Sequence, residues 1–253
     1  MKITTYCPIC SHESEVAGGV TPEKGGRGAW HVPAIHIPIS EGFLYPYTCS
    51  KGHNITMLLN NFKFEIIFDS GLNALHDGYL REAMTSFYAA LEYFYKELSL
   101  YFMYLNNVNI NSEEYQKFKK AVKLSERTLG LFHGLYYIVI GEPAPVLSSK
   151  ISEDRNNVIH GSNYPSYEDA VKFGNSVKNY IVYILEKVED KFSYFDWMSI
   201  VIQSYHPTDE KLNKPNVWTY SYLLSKTYRT NNDLKKHSIT EYKPFWQLMK
   251  DNN

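Results

Sequence analysis

The feature that most restricts the fold is "LREAMTSFYAALEYFYKELSLYFMYL", residues 80 to 105, where apolar side chains return every three or four positions. Phe87, Ala90, Leu91, Phe94 and Leu98 fall on one stripe, so the spacing predicts a long helix with a buried face. "HDGY" at 76 to 79 separates it from a short preceding helix. Downstream, Asn111 stands three places before Glu114 in a capping-box pattern that opens "NSEEYQKFKKAVKLSERTLG", and the apolar "LFHGLYYIVI" follows and stops before Pro143 and Pro145. Pro145 suits the first turn of a helix that ends at His160, where Gly161 and Pro165 supply the stop. Ser166 and Asp169 have the spacing of a cap for a last long helix, "YEDAVKFGNSVKNYIVYILEKVE". Residues 69 to 192 therefore read as a helical bundle.

The flanks differ. Residues 1 to 68 contain short alternating runs, "AIHIPI" and "KFEIIF", around the glycine-rich "GGVTPEKGGRG", which predicts a small β-rich module. Residues 193 to 253 form an aromatic extension whose pieces "VWTYSYLLSKTY" and "YKPFWQLM" suit helices packed on the bundle. From His206 to Lys250 it carries eight Lys and Arg against four Asp and Glu, in a chain whose formal net charge is -1. With 22 Tyr and 13 Phe there is ample material for a core. "MKITTYCPIC" contains no apolar stretch that would serve as a signal peptide, and no run of about 18 apolar residues occurs. A cytoplasmic protein with no membrane partner is expected.

All three cysteines fall in the first 49 residues. An odd number in two knuckle-like groups suits a metal site in a reducing compartment better than a disulfide framework. "CPIC" and "CSKGH" offer Cys7, Cys10, Cys49 and His53, three thiolates and an imidazole, the donor set of a structural zinc ion. His12 or His36 is a possible substitute for His53. The plain alternative is ordinary buried or free thiols. Four protein ligands close the shell, which argues against a catalytic metal with a bound water.

"RNNVIHG", residues 155 to 161, places Arg155 and His160 at the end of a predicted helix. Asn156 and His160, four apart, share a face, whereas Arg155 and His160 point about 140° apart at the helical 100° per residue. A histidine in a last helical turn lies near the negative end of the dipole, which favours its protonated form. Beside a guanidinium it invites an anion. RNA cleavage is a reaction that needs such a pair without metal: histidine moves protons at the 2′-hydroxyl and the leaving oxygen, and arginine stabilises charge at phosphorus. The plain alternative is a solvated helix end whose side chains cap carbonyls.

"RNNVIHG" also resembles the R-x4-6-H signature of the HEPN superfamily, including the polar residue after the arginine. "GYLREAMTSFYAALEYFYKEL" is similar to the long early helix of those domains, and "RNNVIHGSNYPSYEDAVKFGNSVKNYI" to their last two, over about half of the chain, residues 69 to 190. The resemblance implies a mainly α fold, a HEPN-like helical bundle, here with the N-terminal zinc-binding module added. It implies a metal-independent endoribonuclease, often a toxin or anti-phage defence effector, with its site at the two-fold interface of a homodimer. RNA, tRNA among the candidates, would be the substrate, and an antitoxin or defence-system protein a partner. By position, Arg155 and His160 would be catalytic, Asn156 would orient or polarise, and Glu92 would be the acidic residue such helices often carry. The other reading of Glu92 is a pair with Lys96 one turn on. A non-catalytic RNA- or protein-binding module of the same fold is the rival. His133 is most simply a packed histidine, and "KGGRG" a hairpin tip. Trp218, Tyr220, Tyr222, Tyr228 and Trp246 interleave with Lys211, Lys214, Lys226, Arg229, Lys235 and Lys236, a mixture that holds single strands when it is not simply core.

Overall fold

A computed structural model describes residues 2–5, 7–17, 35–38, 42–147, 149–161, 164–205, 216–217 and 238–241. For some residues inside helices and strands, Arg155 and His160 among them, it describes the backbone alone. The chain is mainly helical and forms two compact units, parted at Asn61/Phe62 and again at Ser204/Tyr205. The expected boundaries were 68/69 and 192/193.

The first unit mixes strand and helix. β1 (Lys2–Thr5) pairs antiparallel with β2 (Ile35–Pro38), and β3 (Leu44–Thr48) pairs antiparallel with β4 (Asn54–Leu59), Thr48 opposite Asn54. β5 (Asn216–Val217) lies parallel to β4, with Leu58 opposite Asn216. The β-rich reading did not include α1 (Pro8–Ala17), which starts at the proline inside the first cysteine knuckle. Proline fits a first helical turn because its fixed φ is already helical and its missing N–H would have had no partner there.

The second unit contains α2 (Lys63–His76), α3 (Leu80–Leu105), α4 (Glu113–Ala121), α5 (Ser125–Ile140), α6 (Ser149–His160), α7 (Tyr167–Val188) and α8 (Tyr194–Tyr205), the last of which ends at the division between the units. α3 is the axis of the bundle, touching α2, α5, α6 and α7. "HDGY" does part α2 from α3, and Ser166 with Asp169 forms the expected capping box, Asp169 N–H donating to Ser166 Oγ at 3.1 Å. Three local expectations need correction. The cap of α4 is Ser112, whose Oγ accepts from Tyr115 N–H at 3.1 Å, because Asn111 is held in the preceding turn by Asn109. Pro145 lies outside any helix or strand, before α6, and its carbonyl accepts from Tyr180 Oη–H at 3.0 Å.

The third correction is "KFEIIF", which begins α2 and is not a strand. Its short alternation also satisfies a helical period through Phe64, Phe68, Leu72 and Leu75, all buried. Two buried carboxylates take up the free N–H groups of its first turn: Glu65 accepts from Phe62 at 2.8 Å, and Glu97 of α3 accepts from Lys63 and Phe64 at 3.2 and 3.4 Å. Trp197 of α8 closes the same region. Its ring packs on Phe62, centroids 3.9 Å apart, and its Nε1–H donates to the Glu97 carbonyl at 2.8 Å. α8 up to Ser204 is therefore core of the bundle, and truncating a buried tryptophan of this kind costs about 3–5 kcal/mol.

Burial pushes the Glu97 carboxyl up to about 7, against the pull of the N–H groups of Phe64 and Lys63 and the ammonium groups of Lys96 and Lys63. The folded pKa exceeds the unfolded one, so the carboxyl's contribution to stability is full below about 4.5 and lost as pH rises through about 7. At about 1.4 kcal/mol per pKa unit the span is on the order of 3 kcal/mol. Glu97→Gln keeps an acceptor for α2 and cannot ionise. Urea unfolding at pH 5.5 and 7.5 should show the wild type losing more stability than the variant across that interval; parallel losses would remove the assignment.

Candidate functional site

Cys7, Cys10, Cys49 and His53 lie close together and can hold a metal ion, their ligand atoms all within 4.8 Å of one another. The sequence predicted this grouping. The two knuckles meet because β3 delivers Cys49 to the start of a tight turn and α1 begins between Cys7 and Cys10. In that turn Gly52 N–H donates to Cys49 O at 2.8 Å and Cys49 N–H to His53 O at 3.1 Å. Gly52 sits at φ +84°, a left-handed conformation that glycine adopts without strain.

The spacing is that of a tetrahedron. Zinc–sulfur bonds of about 2.3 Å and zinc–nitrogen bonds of about 2.0–2.1 Å at tetrahedral angles put sulfurs about 3.8 Å apart and sulfur about 3.5 Å from nitrogen. Cys10 Sγ lies 3.7 Å from Cys49 Sγ, and His53 Nδ1 lies 3.4, 3.5 and 3.8 Å from the sulfurs of Cys10, Cys49 and Cys7. All three thiols are buried and none is in a disulfide. Burial, reinforced by Cys7 and Cys49, pushes the Cys10 thiol up to about 11. Burial also pushes on Cys49, but backbone N–H groups of His53 and Lys51 outweigh it and bring that thiol down to about 7. Metal loading at neutral pH must therefore displace protons. His12 is exposed on α1 and outside the cluster, and the side chain of His36 is outside the described residues.

The second candidate site is α6. The helix does end at His160, and Gly161 N–H donates to Asn157 O at 2.8 Å. A Cβ at Gly161 would stand 2.2 Å from that carbonyl, so glycine is what lets the chain leave the helix here. Ile151 and Val158 are buried and Asn156 is exposed. By helical period, position 160 is on the Asn156 face and position 155 about 140° away. The side chains of Arg155 and His160 are outside the described residues. Behind the packed face, Met84 of α3, Ile151 and Val158 of α6 and Phe173 of α7 line an open cleft of about 530 Å³.

Glu92 is half-buried, and Ser125 Oγ–H at the start of α5 donates to it. Lys96 Nζ lies 5.2 Å from the centre of the Tyr93 ring. His133 is half-buried beside Phe132, with burial lowering its pKa. The stretch "KGGRG" and the tail residues Trp218, Tyr220, Tyr222, Tyr228, Trp246, Lys211, Lys214, Lys226, Arg229, Lys235 and Lys236 lie outside the described residues. Among the described residues, no helix is long and apolar enough to cross a membrane. Compared with protein-family models, curated proteins and solved structures, the chain matches none.

Proposed function

We propose that this chain is a HEPN-type endoribonuclease, acting as a homodimer in which two copies of α6 meet around the RNA phosphate. The observation that carries the reading is the placement of the "RNNVIHG" motif: Arg155 lies within α6, His160 ends it, and the buried residues Ile151 and Val158 leave the Asn156 face turned outward. The 2′-oxygen attacks phosphorus and the bond to the 5′-oxygen breaks, giving a 2′,3′-cyclic phosphate and a 5′-hydroxyl. His160 moves the protons, Arg155 offsets charge on the phosphoryl oxygens, and Asn156 orients the group under attack. The nucleophile belongs to the RNA, so no step requires a metal.

Zinc is the metal proposed for the Cys7, Cys10, Cys49 and His53 centre, on the match of soft donors and tetrahedral spacing. When bound it supplies cross-linking of the two knuckles, with no open position for water. Glu92 is proposed to support the reacting groups, although its hydrogen bond with Ser125 also favours a simpler role in seating α5. Glu92→Gln decides between these: slower cleavage at an unchanged Tm supports the first, and unchanged cleavage the second. A toxin or defence role, with an antitoxin or defence-system partner, follows from the nuclease reading.

Incubation with tRNA or total RNA in the presence of EDTA should give fragments ending in 2′,3′-cyclic phosphate. Products with 3′-hydroxyl and 5′-phosphate ends would indicate attack by water and overturn the mechanism. Binding of RNA without any cleavage would favour the non-catalytic module.

A further inference from the structure

We propose that Glu13 is an outer carboxylate of the metal centre, holding the His53 ring so that Nδ1 faces the three thiols. This rests on the reading of Cys7, Cys10, Cys49 and His53 as a metal site. His53 approaches all three sulfurs through Nδ1. A neutral imidazole that ligates through one nitrogen carries its proton on the other, and that N–H needs an acceptor. Glu13 Oε1 lies 3.4 Å from His53 Nε2, and Glu13 Oε2 lies 3.4 Å from Lys51 Nζ in the second knuckle. Cys10 and Glu13 are three places apart on α1, so one helix face supplies both a ligand and the carboxylate behind another ligand. A carboxylate in that position fixes the tautomer and orientation of the ring and raises its basicity. As a bare surface pair it would do little, because the Glu13 and Lys51 side chains are 48% and 61% exposed. Its effect should therefore appear in metal binding and not in the stability of the metal-free chain.

The experiment is a zinc competition titration against a chromophoric chelator, on the full chain and on Glu13→Gln and Glu13→Ala. Cobalt absorption serves as a check on coordination, and Tm is measured with and without zinc. Glu13→Ala should weaken zinc binding by about 10–100-fold. Glu13→Gln, which still offers an oxygen toward Nε2 but lacks the charge, should lose less. Neither should change the metal-free Tm. Zinc binding by Glu13→Ala as tight as the wild type's would overturn the proposal. So would equal losses of Tm with and without zinc, which would mark Glu13 as an ordinary structural residue. A wild-type chain that takes up neither zinc nor cobalt would overturn the underlying metal site, and that outcome is distinct because it needs no variant.

Discussion

Replacing His160 or Arg155 by alanine is expected to slow RNA cleavage by on the order of 10²-fold or more, with no change in oligomeric state and little in Tm. The first substitution removes proton transfer, worth about 10²–10⁴ in rate, and the second removes charge stabilisation of comparable size. A mixed dimer gives the sharper test. On one helix the two positions point about 140° apart, so a site that uses both is most readily built where two copies of α6 meet at a two-fold axis. Each mutant homodimer then lacks one residue type altogether. A mixed dimer, made by co-expressing differently tagged Arg155→Ala and His160→Ala chains, keeps one arginine and one histidine in the shared site. It should recover part of the activity that both parents lack. A monomer by light scattering that still cleaves at the full rate would defeat the shared-site model.

Stripping the metal should have the larger effect on folding. Freshly purified, reduced protein should contain about one zinc ion per chain, and chelation or Cys49→Ser should unfold the N-terminal unit while the helical signal of the bundle persists. Apparent binding energies for structural zinc in small domains are about 10–16 kcal/mol at neutral pH. The sheet of the unit's described N-terminal part is short, β3 and β4 having five and six residues, so the metal cross-link is a large share of what holds it. Calorimetry should show a metal-dependent transition for this unit, separate from that of the bundle. RNA cleavage should survive chelation to the extent that the bundle stays folded, since α6 belongs to the other unit. Metal analysis that finds no zinc would remove the assignment.

The parts of this protein that were legible in its sequence are those fixed by near neighbours. Periodicity announced α3 because it carries an apolar stripe long enough to stand out, and Ser166 with Asp169 marked where α7 starts. The Cys and His spacing announced the metal cluster, because each knuckle is a local turn and only two must be brought together. The end of α6 at His160 followed from Gly161 for the same reason.

What the tertiary structure alone decided involves partners far apart along the chain. "KFEIIF" alternates like a strand, but the same residues also fit a helical period, and the helix is favoured by Glu65 and by Glu97, some 33 residues on, which accept the N–H groups of its first turn. By sequence, residues from Tyr194 belong to an extension beyond the bundle, but burying Trp197 against Phe62 and the Glu97 carbonyl draws α8 into the core. Glu13 is one acidic residue among many until α1 and the second knuckle put it beside His53. In the first two cases the deciding energy comes from a contact whose partner the local sequence does not contain: a buried carboxylate at a helix end and a ring closing a core. Local pattern therefore determined the long helices α3 and α7, their stops and caps, and where the metal donors lie, and long-range satisfaction of buried polar groups and apolar surface decided the identity of the start of α2 and the place of α8.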